Sequence, residues 1–332
     1  MHIGTQHVNG DDWERFQVLP QLGVRHVCST PLGKWRDWTV ASLTEYRDRL
    51  SERDISLDMV PLPLASGPAG TQGAPSVFLP HSPDRDRDID AVCDLLRKLS
   101  AAGIHATKYN ITILGHLRTP SRAGRGGANL SSWEYARLDQ SLGEFEDGPA
   151  DADEMWERIT YFLDRVVPVA EEHQVRLACH PQDPGIGDDL YRGVARVLGT
   201  VDGLKKLVSI HESPYHGLNF CQGTNSEMLQ DPGTEIYDVI RYFGTRKKIF
   251  NVHFRNIRGG LDDFVEVFPD EGDVDMIEAL RVYDEVGYEY MIMPDHVPGI
   301  SGPAPGDVGF AYCFGYVRAA MQALGLADET AD

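Results

Sequence analysis

"DIDAVCDLLRKLSAAGIHATKYNITI" (residues 88–113) holds one full unit of the pattern that sets the fold. In its first part Ile89, Val92, Leu95, Leu96 and Leu99 recur at the i, i+3, i+4 spacing of a helix with one buried stripe, and Gly103 stands where a C-cap belongs. In its second part the run 104–113 is short and rich in β-formers, as a strand is. Working outward, seven more such runs occur at 2–8, 24–30, 55–63, 175–181, 217–223, 249–257 and 289–296. Helical patterns, clearest at 154–174 and 274–288, separate them. Eight strand–helix repeats with no interrupting domain predict an α/β fold, a single (β/α)8 TIM barrel over residues 1–332. An open doubly wound sheet is the structural alternative, but no GxGxxG turn follows the first strand.

Composition narrows the function classes. Hydrophobic residues make up 42% and charged residues 25%, as in water-soluble globular proteins, and no apolar run is long enough to span a bilayer. The first residues have no basic start followed by an apolar stretch, so no secretory signal is expected. Five cysteines (28, 93, 179, 221 and 313) are scattered with no CxxC pair, which fits reduced thiols in a cytoplasm. The net charge of −20 repels a phosphate backbone and argues against nucleic acid as a partner; a small anionic substrate stays open, because a local cation outweighs a distant, screened field.

Three stretches stand outside the repeat. Residues 65–76 and 298–307 read as Gly/Pro-rich loops, and 117–153 as a long loop insertion after strand four, expected to serve as a lid or as a contact in a homo-oligomer. Every βα loop of such a barrel emerges at its C-terminal mouth, where barrels keep their active sites.

The residues at the ends of the last four strands are His180, Cys221, His253 and Asp295, spaced 41, 32 and 42 residues apart, each about one βα unit. They should therefore converge on one rim, and two imidazoles, a thiolate and a carboxylate in one place make a metal site. Cys93 and Cys313 lie on helix patterns and Cys179 should point opposite to His180, so these three read as packing. No GxSxG elbow supports a serine hydrolase, and a Cys–His nucleophile would leave His180 and Asp295 idle.

The motifs "ACHPQDPG" (178–185), "SPYHGLNFCQGT" (213–224), "VHFRNI" (252–257), "GDVDM" (272–276) and "PDH" (294–296), with the weaker "AAGIHATKYN" (101–110), resemble in order and spacing those of the mannonate dehydratases, barrels of the xylose isomerase-like group. The resemblance covers most of residues 88–320. It implies a hydro-lyase acting on a sugar acid such as D-mannonate, and a manganese-type ion held by His180, Cys221, His253 and Asp295. Ligand chemistry alone would equally admit Fe2+, Co2+ or Zn2+, and Mg2+ stays open. Departures from the family pattern fall at Gln182, where the family has Asp; at 266–271, where it has a histidine; at Phe310, where it has a tyrosine; and after strand four. They spare the ligands and strike the groups that select substrate and move protons.

Dehydration removes a proton beside a carboxylate and expels a β-hydroxyl. His296 is the first choice for proton transfer, with Arg255 as a carboxylate fork or else a salt-bridge partner of an acid such as Glu266. Tyr312 is a further acid/base candidate, and Asn110, Asn256 and Glu266 are expected around the substrate. Arg118, Arg122 and Arg125 read as a solvated basic loop. Rival readings are a metal-dependent isomerase or epimerase, a keto-sugar lyase, and a non-catalytic metal or sugar-acid binder.

Overall fold

The computed structural model describes residues 1–79, 82–146, 148–187 and 189–326. Eight parallel strands form its centre: His2–Thr5, His26–Cys28, Ser56–Met59, Ala106–Asn110, Arg176–His180, His216–Cys221, Ile249–His253 and Met291–Met293. They pair in ring order, the first strand lying between the second and the eighth. Closure between the third and fourth runs through the residues just past the third strand, where Val60 and Leu62 N–H donate to Ala106 and Lys108 C=O and Asn110 N–H donates to Leu64 C=O. This is the (β/α)8 barrel.

Alternation along each strand sorts side chains into two layers. Leu177 and Cys179 point outward into the shell between strands and helices, while Ala178 joins Cys28, Met59, Ala106, Phe250, Met291 and Met293 inside the barrel. His180, two residues past Ala178, therefore faces inward at the mouth. Cys93 and Cys313 are buried on the helices Arg85–Ala101 and Pro305–Ala323. Gly103 follows the first of these in the left-handed region (φ 75°), a conformation that costs glycine nothing.

Several strand runs end earlier than the sequence pattern suggests, because the ladder stops where side chains turn into the mouth. The run 249–257 is two strands: the barrel strand ends at His253, and Asn256–Gly260 begins an antiparallel hairpin with Asp263–Val267. The stretch 117–153 is likewise not irregular. Its strands Thr119–Ala123 and Asn129–Glu134 pair with each other, and the second pairs with Asp263–Val267, making a four-stranded antiparallel sheet. The stretch ends at Asp151, whose capping box with Glu154 starts the helix Ala152–Glu172. This sheet stands over the mouth and hands Arg118 and Glu266 to it.

Candidate metal centre at the barrel mouth

His180, Cys221, His253 and Asp295 come together with ligand atoms all within 4.8 Å of one another, and all four are buried. Cys221 and His253 are register partners on the sixth and seventh strands. His253 Nδ1 lies 3.2 Å from Asp295 Oδ2, Cys221 Sγ lies 3.8 Å from the same oxygen, and the two imidazole rings have centroids 5.1 Å apart.

Each group is prepared for a cation. His180 Nδ1 sits 2.6 Å from Pro181 C=O, so it carries the hydrogen and leaves Nε2 as the lone pair. His253 Nδ1 points to the centre beside Asp295, while its Nε2 accepts at 3.2 Å from the Asn219 amide, which Asn251 holds in turn; an ion at Nδ1 would take the place of the hydrogen there. Burial keeps both rings neutral: it drives His180 well below the ordinary imidazole range and His253 down to about 4. Burial and the Asp295 charge push the Cys221 thiol up, although the N–H and O–H of Thr224 are aimed at its sulfur at 3.4 and 3.1 Å. A nucleophilic cysteine needs the opposite shift. Bringing an ion to the sulfur is what would favour the thiolate here. The buried His253 Nδ1 and Asp295 Oδ1 have no hydrogen-bond partner, an expense that a bound cation would remove. The donors present fit a divalent transition ion.

Around this group lies a buried ion network. Arg255, 3% exposed, donates to Glu227 at 2.7 Å and to Asp183 at 2.8 Å, with Asp295 at 3.5 Å and Glu266 at 3.7 Å. Arg118 bridges Asp183 and Glu266 at 2.5 Å each. Glu266 also accepts from His296 Nδ1 at 2.9 Å. Burial would raise the Asp183 carboxyl, but Arg118 and Arg255 hold it well below the usual range. Burial does win at Glu227, which rises to about 8: the acids outnumber the two arginines, and the most enclosed of them takes the proton. At His296 burial lowers the affinity for a proton, yet Asp295 and Glu266 outweigh it and raise the ring to about 9.

Against the sequence expectations, the structure brings His296 to the mouth beside Asp295 and places Asn110 opposite His180 in register. Arg255 is drawn in too, but both its forks are spent on Glu227 and Asp183, so no free carboxylate fork remains. Glu266 is spent likewise, positioning Arg118 and His296. Asn256 is not turned to a substrate: its amide brackets the backbone of Pro269, Val274 and Ile257. Tyr312 lies on the exposed side of its helix, 42% exposed and against Arg125 and Phe268, outside the centre. Arg118 is the reverse case, a half-buried member of the site rather than part of a solvated loop. Gln182 ties Ile111 C=O to Leu198 N–H, a structural bridge.

Sequence reading missed Asp183, Glu227, Lys108 and His7. Lys108 faces into the barrel two residues before Asn110 and reaches the neutral Gln6 amide. Burial lowers His7 to about 4 and its Nε2 is buried without a partner, while its ring stacks on Phe310 at 3.6 Å between centroids.

A family model described as D-mannonate dehydratase (UxuA) matches residues 122–331, more than half of the chain. The chain belongs to the mannonate dehydratase family. Membership makes it an enzyme of the hydro-lyase class working on a sugar acid. The mannonate dehydratase of Thermotoga petrophila is 29% identical over 249 residues, covering 64% of this chain and 68% of the relative. The crystal structure of mannonate dehydratase from Streptococcus suis serotype 2 superposes with a TM-score of 0.82 at 20% identity, covering 100% of this chain and 97% of that one. A D-psicose 3-epimerase from Clostridium cellulolyticum H10 follows at 0.60 and 14%, covering 99% and 100%. At such identities these structures speak for the fold, the xylose isomerase-like barrel. Among the described residues no helix is long and apolar enough to cross a membrane.

Proposed function

We propose that this member of the mannonate dehydratase family removes water from an aldonic acid such as D-mannonate to give the 2-keto-3-deoxy acid, with a divalent metal held by His180, Cys221, His253 and Asp295. The observation that carries the proposal is the convergence of these four buried donors on one point, with His253 Nδ1 and Asp295 Oδ1 left without a hydrogen bond. The thiol and imidazoles favour a transition ion over Mg2+; within that class Mn2+ rests on the family resemblance, and Fe2+, Co2+ and Zn2+ suit the same donors. When bound, such an ion orients the substrate's carboxylate and hydroxyl oxygens and offsets the negative charge that develops beside the carboxylate.

The chain's own groups divide the remaining work. Lys108 forms no ion pair among the described residues, so its charge is available to a substrate carboxylate, and Asn110 beside it can hold a hydroxyl. His296 keeps its proton near neutrality and opens at its edge to the mouth, so it serves as the acid for the departing hydroxyl, steadied by Glu266. His7 is neutral and offers an unengaged Nε2, the place for the proton leaving carbon. Two imidazoles pushed apart in this way form an acid–base pair. Arg255 and Arg118 act one layer behind, fixing the acids. A cytoplasmic setting suits the reduced, buried thiols.

The test is a metal-reconstituted screen of aldonic and uronic acids alongside ketoses, following both keto-deoxy product and loss of the starting sugar. Keto-deoxy acid from an aldonic acid supports the reading. Isomerised or epimerised sugar with no water lost overturns it.

A further inference from the structure

We propose that His2, His26 and Asp58 form a second metal site, for a divalent ion of the Zn2+ type, at the end of the barrel opposite the mouth. His2 and His26 are the first residues of the first two strands, and Asp58 lies on the third, so all three sit toward the N-terminal end of the sheet. The active centre is built at the other ends of strands five to eight; this site shares no residue with it and does not rest on the dehydratase reading.

Asp58 owes its place to an irregularity. Val27 pairs with Leu57 and Cys28 with Met59, so Asp58 is the extra residue of a bulge, a feature that re-aims a side chain. The redirected carboxylate meets both imidazoles: His2 Nε2 lies 3.0 Å from Oδ2, and His26 Nδ1 lies 3.1 and 3.0 Å from Oδ1 and Oδ2. The rings are nearly stacked, with centroids 3.7 Å apart. Ligands at about 2.0–2.2 Å from one ion stand roughly 3 to 3.5 Å from each other. Here the three ligand atoms all lie within 4.8 Å of one another, so a modest approach of the two rings would let them share it.

The chemistry of the set is selective. Two nitrogens and one oxygen suit Zn2+, Co2+ or Ni2+ better than the oxygen-seeking Mg2+ or Ca2+, and three protein ligands leave room for water. The carboxylate is ready to bind: burial would raise it, but hydrogen bonds with His2 and His26 keep it well below the usual range. Two stacked imidazolium rings would repel, whereas neutral rings give their lone pairs to an ion. His26 also lines a polar cavity of about 520 Å³ shared with Arg47, Asp54 and Ser56, which provides an entry path. An ion here would pin the first three strands together.

Tag-free protein, stripped with chelator and dialysed against Zn2+, is the material for the test, with bound zinc counted by mass spectrometry. The proposal expects two zinc ions per chain in the unaltered protein and one in Asp58→Asn or His26→Ala. The double variant Cys221→Ser/His253→Ala, with the mouth disabled, should also keep one. A Cys221→Ser/His253→Ala protein that binds no zinc, or Asp58→Asn that binds as many ions as the unaltered protein, overturns the proposal. Melting curves guard against a folding artefact. In the Cys221→Ser/His253→Ala background, Zn2+ at a hundredfold excess over Kd should raise the midpoint by roughly 4 °C, and adding Asp58→Asn should abolish the rise. A background protein that melts at the same temperature with and without Zn2+ counts against the site.

Discussion

Replacing Arg255 with methionine keeps most of the side chain's bulk and deletes its charge, which isolates what the guanidinium does. At 3% exposure it donates to Glu227 at 2.7 Å and Asp183 at 2.8 Å, and both acids are buried. Removing one partner of a buried ion pair costs about 3–5 kcal/mol, because the fold must then carry more buried negative charge than Arg118 alone offsets. Unfolding entropy of about 2.1 cal/mol/K per residue gives roughly 0.7 kcal/mol/K for this chain, so the midpoint should fall by about 4–7 °C. The sign of the pH dependence follows from the acids left behind. Without Arg255 the folded-state pKa values of Asp183 and Glu227 rise, the folded variant binds more protons than the unfolded chain, and its stability falls as pH rises. The deficit should therefore be larger at pH 8 than at pH 6. Arg255→Lys should fall between, since a single ammonium cannot bridge two carboxylates as a fork does. Circular-dichroism melts of chelator-treated protein at the two pH values measure this. A deficit below about 1 kcal/mol, or one independent of pH, would refute the reasoning.

Other expectations follow from the same contacts. Glu227, raised to about 8 in the fold, contributes stability that is fully present below the ordinary glutamate pKa and is lost as pH rises through about 8. Glu227→Gln should therefore gain on the unaltered protein between pH 5 and pH 8 in urea midpoints; losing ground instead would mean that Glu227 is ionised in the fold. A Cβ at Gly223 would fall 2.5–2.6 Å from the Arg255 side chain, so Gly223→Ala should displace that arginine. We expect a cost of about 1–3 kcal/mol and a drop in kcat of at least about tenfold, and a variant with normal kcat would show that Arg255's position is dispensable. Cys179 points away from His180 into the outer shell, so Cys179→Ala should leave bound metal unchanged when counted after reconstitution.

The eight barrel strands and four metal-ligand candidates were legible because a parallel barrel repeats one local pattern. Each strand is a short apolar run, and counting runs places His180, Cys221, His253 and Asp295 on one rim. What escaped is what the repeat does not encode. Thr119–Ala123 is mostly exposed and polar, so it lacks an apolar signature, and its sheet is completed by Asp263–Val267 far along the chain. Arg118 looked solvated for the same reason: its partners Asp183 and Glu266 are 65 and 148 residues away. Asp183 stood inside a motif that carries a ligand and Glu227 three residues past another, both beyond the strand ends, where alternation no longer says which way a side chain points. Asn256 and Tyr312 show the converse, residue types suited to chemistry that the backbone turned to bracing a loop and to the surface.

The central claim is that Cys221, with His180, His253 and Asp295, holds the metal on which turnover depends. Cobalt substitution tests it most directly, because a thiolate bound to Co2+ has a near-ultraviolet charge-transfer band that imidazole and carboxylate ligands lack. Stripped protein titrated with Co2+ should develop that band in step with D-mannonate dehydration, and Cys221→Ser should lose both while Cys179→Ala keeps both. A band that survives Cys221→Ser, or dehydration that proceeds at full rate without it, would contradict the account.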